Sequence, residues 1–303
     1  MILDLEHPHR RLPVRFFVFW LGCLISSSLA EPLAVSPLWQ VNFTVSNGGG
    51  VIQSTAVPLD ADSLLVAVVG PGADPASPKL LLGTRSMAFE VVGHDPVSRL
   101  GFIRAEGGVP GTVPEWLKDA SDSANLSLTA ITPAGPVKCR STGWVKQVGG
   151  KILPLALLRV TFASQVPPPG TPLMDESGRV AAVVFQDTGK GNTCYAIPAE
   201  AVRRVQRDIC KSGRLVRGWL GLSLRAETQS PQVVRTLPNS PASAAGIQPG
   251  DVLAAIGTRR INDYADAANA FFYLIPGQPV RVKLLRGVDK FEFTLTPTEP
   301  GSN

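Results

Sequence analysis

Histidine is nearly absent: the chain has three in 303 residues, and His7 and His9 stand within the first ten. Any zinc centre or imidazole base farther along has only His94 to draw on. Cysteine is scarce too, at four residues, and Cys23, Cys139, Cys194 and Cys210 show none of the close pairing that holds a structural metal. Asp60 and Asp62 in "LDADS" lack the further oxygen ligands of a calcium loop, so they read as a turn. No metal and no cofactor are expected. Charged residues make up only 17% of the chain, and beyond residue 30 no apolar run is long enough to cross a bilayer. Aromatics are few, at 7%. None interleaves the one dense basic stretch, Arg203, Arg204, Arg207, Lys211, Arg214 and Arg217. That stretch therefore reads as the solvated face of a helix, and no nucleic-acid partner is expected.

What is present begins with a targeting pattern. Arg10, Arg11 and Arg15 precede an apolar run from Phe16 to Ile25, and Ser28-Leu29-Ala30 has the small residues of a cleavage site. Residues 1–30 are thus predicted to be a signal peptide, with an uncleaved anchor as the alternative, and the protein to be exported to a periplasm or cell envelope, or secreted. Cleavage leaves three cysteines, an odd number, so at least one thiol is free or intermolecular; the sequence does not pair them. Glycine and proline are plentiful, at 29 and 27 residues. Short Val-, Leu- and Phe-rich runs from Trp39 to Phe185, separated by turn residues, predict an all-β first half. In "PAEAVRRVQRDICKSG" the period changes: Val202, Val205 and Ile209 recur at helical spacing and Gly213 offers a C-terminal cap, predicting a helix over about Ala199–Ser212. From Gly218 onward, strands broken by two helices predict a small α+β module.

"RGWLGL" followed by "VVRTLPNSPASAAGIQPGDVLAAIG" resembles the PDZ domain of the HtrA/Deg proteins. Upstream, "FEVVGHDPVSRLGFIRAEG", "PPPGTPLMDESGRVAAVV" and "YAIPAEAVRRV" resemble successive segments of the same family's trypsin-like barrel, in order, while the stretch from Ala130 to Leu157 matches poorly. The resemblance implies a mainly β chain, a trypsin-like double β-barrel over residues 31–213 followed by an α+β PDZ domain over 214–303. It also implies a peptidase triad, and here the residues depart from the family. Its nucleophile loop, Pro-Gly-Asn-Ser-Gly-Gly-Pro-Leu, places Pro169 at the serine and Pro167 at the glycine that supplies an oxyanion donor; proline has no N–H to give. Val68 stands at the general base and Arg99 at the orienting carboxylate. His94 reads as a solvated residue beside a turn, and Ser177 as part of a hairpin turn. Losing the serine or histidine of such a triad costs on the order of 10⁶ in turnover, and one oxyanion donor roughly another 10² to 10³.

What survives by resemblance is a peptide groove. Trp219, Leu220, Gly221 and Leu222 correspond to a carboxylate-capturing loop. Leu222, Ser223 and Leu224 form the strand to which a peptide adds, with Ala267 and Phe271 as the opposite wall. The expected partners are C-terminal peptides or unfolded proteins, an active HtrA-like protease, and further copies of the chain, since the family forms trimers. The leading expectation is a pseudoprotease acting as scaffold, decoy or partner of an active relative. The alternatives are a serine endopeptidase of protein quality control using other residues, and a structural envelope protein that oligomerises through its barrel.

Overall fold

The computed structural model describes residues 38–45, 49–118, 125–225 and 230–301; the predicted signal peptide lies outside them. The first seven strands are β1 (Trp39–Val45), β2 (Val51–Pro58), β3 (Leu64–Val68), β4 (Ala73–Leu82), β5 (Arg85–Met87), β6 (Phe89–Asp95) and β7 (Leu100–Ala105). In β1 the alternation expected of a half-buried strand is visible, with Trp39, Val41 and Phe43 inward, whereas β3 is buried at every position. These strands form one antiparallel sheet in the order β5-β4-β1-β2-β3-β7-β6.

The next six strands are β8 (Ser127–Thr132), β9 (Gly135–Val148), β10 (Lys151–Phe162), β11 (Pro172–Met174), β12 (Val180–Asp187) and β13 (Thr193–Pro198). They close into a barrel in the order β10-β13-β12-β11-β8-β9. The chain is therefore mainly β, as expected, but only the second sheet closes on itself by strand pairing.

The predicted helix is α1 (Ala199–Ser212). Val202, Val205 and Ile209 are buried along it, in a core cluster shared with Val66, Val68 and Phe102 of the first sheet and Leu157 and Val183 of the barrel. Gly213 ends the helix at φ 67°, its N–H donating to the Ile209 carbonyl, a left-handed cap that favours glycine.

The C-terminal module follows: β14 (Leu222–Leu224), β15 (Val233–Thr236), α2 (Pro241–Ala244), β16 (Val252–Ile256), β17 (Arg259–Arg260), α3 (Tyr264–Phe272), β18 (Val280–Arg286) and β19 (Asp289–Leu295). β14 and β15 form a two-stranded sheet, and β17-β16-β18-β19 a four-stranded one. Its core gathers Leu220, Val233, Leu253, Ile256, Ala267 and Val282. Asp251 is buried; it accepts from the Gln248 N–H and from two nitrogens of Arg286 at 2.7 and 2.9 Å.

Module and barrel are joined through polar groups on α1 and α3. The basic face of α1 is not uniformly solvated as its composition suggests: Arg203, Arg207 and Lys211 are exposed, but Arg204 is buried, at 3% exposure. It pairs with Asp208 one turn on and donates from Nη2 to the carbonyls of Val216 (2.7 Å) and Leu274 (3.0 Å), while Asp208 accepts from the Val216 N–H. The physical reason is local. The chain leaving α1 folds back over it and brings the Val216 carbonyl within reach of a buried donor. Around this point Arg259 pairs with Glu200 and stacks on the Tyr273 ring at 3.5 Å. Lys146 of β9 pairs with Asp266 of α3, and Asn269 accepts from the Ala156 N–H of β10.

Removing one partner of a buried pair strands the other charge. Asp208→Ala is therefore expected to lower the unfolding free energy by about 3–5 kcal/mol, read as a shifted midpoint in urea denaturation. Lys211→Ala, on the exposed side of the same helix, should shift it by less than about 0.5 kcal/mol.

Candidate functional site

Val68, Arg99 and Pro169, the positions that the resemblance sets against a peptidase triad, are brought together in the fold. Val68 ends β3 fully buried, inside the shared core cluster. Its N–H donates to the Ser54 hydroxyl at 3.2 Å, and that hydroxyl donates to the Pro169 carbonyl at 3.0 Å. Ser54, 0% exposed, is thus the link between the two positions, and the sequence analysis did not single it out. Its partner lies 115 residues away, and only the folded register reveals the pairing.

The proline loop is tied down by its carbonyls. Pro169 O accepts from the Thr55 N–H at 2.8 Å as well as from Ser54, and Pro168 O accepts from the Thr171 hydroxyl at 2.7 Å. Pro167, Pro168 and Pro169 supply three acceptors and not one N–H. Gly170 follows at φ 80°, and a Cβ there would lie 1.9 Å from the Thr55 carbonyl oxygen. The turn is thereby pressed against β2 so closely that only glycine fits.

Arg99, at φ 56°, is joined to the same region by its carbonyl, which accepts from the Val69 N–H at 2.8 Å. Its guanidinium stacks over Phe185 at 4.0 Å and donates to Gln186 at 3.0 Å; burial lowers its pKa. A guanidinium only donates, so it cannot take the proton-accepting role that a carboxylate plays toward an imidazole. His94 is exposed on β6, opposite Gly101. Ser177 donates its N–H to Asp175 within the β11–β12 turn, and Asp60 accepts from the Asp62 and Leu64 N–H groups, so both motifs are turn chemistry. Cys139, Cys194 and Cys210 are free thiols. Burial pushes Cys139 up to about 11 and raises Cys194 and Cys210 as well, the opposite of what a thiolate nucleophile needs.

The second site lies in the C-terminal module. Trp219 is committed on both sides, its N–H and carbonyl exchanging bonds with Thr298 at 2.7 and 3.0 Å. The Leu220 carbonyl accepts from Ala242 and the Gly221 carbonyl from Leu237. In a trans peptide the N–H points away from the carbonyl before it, so the N–H groups of Gly221 and Leu222 turn outward from the module. Gly221 has φ 77°, and a Cβ there would meet Ser240 Cβ at 2.1 Å, so this turn also requires glycine. β14 pairs with β15 in a sheet of two strands, and among the described residues no strand pairs with its other edge. Leu222, Leu224 and Phe271 are half-buried against the module core, whereas Ala267 is completely buried within it. Ala267 thus lies beneath the surface and Phe271 at it. Ser223 is half-buried on the same strand, and Arg217 is exposed.

Residues 218–296 match the PDZ domain family. Among curated proteins, the chain is 24% identical over 276 residues to a probable periplasmic serine endoprotease DegP-like of Ectopseudomonas mendocina, covering 84% of this chain and 55% of that one. A protein of the same name from Chlamydia trachomatis is 23% identical over 323 residues, covering 98% and 62%. The chain thus spans little more than half the length of these relatives. Of solved structures, the HtrA-type protease AlgW with decapeptide superposes with a TM-score of 0.60 at 18% identity, over 88% of this chain and 97% of that one. A serine endoprotease from Yersinia pestis superposes at 0.52 and 17%, over 87% and 94%. At these identities the structural likeness is one of fold.

The contact between Gly170 and Thr55 gives a direct test of how the proline loop is held. Gly170→Ala introduces a side chain at positive φ and against a backbone oxygen, and is expected to cost at least about 1–3 kcal/mol in chemical denaturation. A neutral result would mean that the loop does not lie against β2.

Proposed function

Because the chain belongs to the HtrA family and carries a PDZ domain, we propose that it is a non-hydrolytic member that captures the C-terminal ends of peptides or unfolded proteins in its PDZ groove. The observation that carries the first half is the loop at Pro169. The position of the nucleophile has neither hydroxyl nor N–H, and its carbonyl is bonded to Ser54 and Thr55. The second half rests on the open edge of β14 and the outward N–H groups of Gly221 and Leu222. An incoming carboxylate is held by such amides while the peptide backbone extends the sheet. Phe271 gives the groove an apolar wall, which favours apolar C-terminal side chains. The bound decapeptide in AlgW is consistent with peptide capture by a protein of this fold. With no hydrolysis to perform, such a protein works as a scaffold, a decoy or a partner of an active relative, in the periplasm that its relatives' names specify.

The relatives' names support a second reading, that of a serine endoprotease working through residues other than the triad positions. One pair of measurements separates the two. Under the first reading the protein is not labelled by a fluorophosphonate probe, leaves an unfolded protein substrate intact, and stays unlabelled as Pro169→Ser, since a restored hydroxyl still has no base. A labelled serine in the unmodified chain would establish the second. Separately, display of C-terminal peptides should enrich apolar termini, and Phe271→Ala should weaken the selected peptide about tenfold, equivalent to about 1.4 kcal/mol. A library without enrichment would remove the peptide-capture reading.

A further inference from the structure

A cleft of about 490 Å³ lies between α1 and the end of α3, lined by Lys118, Glu200, Arg203, Arg204, Arg207 and Tyr273 among others. Its charge is one-sided. Four cations line it against one carboxylate, and that carboxylate, Glu200, is already paired with Arg259. Arg204 is matched by Asp208, but its Nε is buried without an acceptor. Lys118, Arg203 and Arg207 have no ionic partner among the described residues. Arg203 and Arg207 stand four residues apart on α1, where like charges face one another on the helix surface. Burial first, and then the neighbouring Arg204, lowers the pKa of Arg207, with Asp208 acting the other way.

We propose that this cleft binds a small oxyanion of the phosphate class, carrying at least two negative charges, with Arg203, Arg207 and Lys118 as its ligands. The charge sets the class. Three cations without an ionic partner among the described residues are poorly answered by the single charge of a carboxylate, and guanidinium forks meet phosphate oxygens two at a time. The volume leaves room for a pyrophosphate or a phosphate monoester. Position gives the site a consequence, because Arg204, in its wall, holds both Val216 and Leu274. An anion that quiets the repulsion around Arg204 stiffens the joint between barrel and PDZ domain.

The free anion and the headgroup of a lipid monoester share this chemistry, and the experiment separates them. Titration calorimetry of the whole protein with sodium pyrophosphate, at ionic strength held constant with sodium chloride, is expected to show saturable one-to-one binding. Binding should weaken at least tenfold in Arg203→Gln/Arg207→Gln and be unchanged in Arg140→Gln, an exposed cation on β9. In parallel, capture on phosphatidylcholine vesicles containing phosphatidic acid, reversed by pyrophosphate and lost in the double variant, would assign the ligand to a membrane; no capture would assign it to the free anion. A non-saturating response, or one equal in wild type and double variant, overturns the proposal, as does vesicle capture that the variant leaves intact. Should the double variant lose its circular dichroism signal, Lys118→Gln, which lies outside α1, provides the same comparison.

Discussion

The buried pair of Arg204 and Asp208 is the constraint on which the arrangement of the whole molecule rests. Two charges taken out of water cost several kcal/mol each unless every donor and acceptor is met, and here most of them are: Arg204 reaches Val216 and Leu274 as well as Asp208, and Asp208 takes the Val216 N–H. Such a pair is weak evidence for stability, because apolar residues of the same volume often do as well. Its contribution is positional. An apolar side chain at residue 204 would bury as much surface but would take the Arg204 donor from the Val216 carbonyl and leave that of Leu274 with the Gly218 N–H, loosening the point where the chain leaves α1. The departure of that chain sets the place of the PDZ domain, and Phe272 then enters the core that α1 shares with both sheets.

Elsewhere, polarity decides what the loop of three prolines can do. Stabilising charge that develops on an oxygen requires N–H dipoles aimed at it. Three consecutive prolines present carbonyls instead, and those of Pro168 and Pro169 are fastened inward by Thr171, Ser54 and Thr55. Arg99 supplies positive charge nearby, but its guanidinium lies on Phe185 and bonds Gln186, and with no lone pair to offer it has no means of orienting an imidazole. The loop is therefore held in place by its own bonds.

The parts of this structure that sequence reasoning reached are those with a local cause. Val202, Val205 and Ile209 recur at the period of a helix and end at a glycine that can turn left-handed, so α1 is legible to the residue. β1 declares itself by alternation; β3, buried throughout, is legible only as an apolar run. The family resemblance could be read because it rests on short motifs in a fixed order. What escaped has partners far away in the chain. Arg204 looks like its basic neighbours, and the Arg-to-Asp spacing of four is visible, but the carbonyls that draw it inward belong to residues 12 and 70 positions on. Ser54 has no distinguishing context until the strands are in register. Ala267 was assigned to a groove wall by spacing from Phe271, but helical spacing alone does not say how deep a small residue lies.

The helix α3 shows why the peptide groove and the barrel cannot be considered apart. Within nine residues, Asp266 and Asn269 hold β9 and β10, Phe272 enters the barrel core, Ala267 and Ala270 enter the module core, and Phe271 packs at that core's margin. Four alanines let the helix lie close on both sides, so neither contact has slack. Moving α3 means drawing Asn269 from the Ala156 amide or lifting Phe272 from its core. A helix braced in this way has little conformational freedom left to lose.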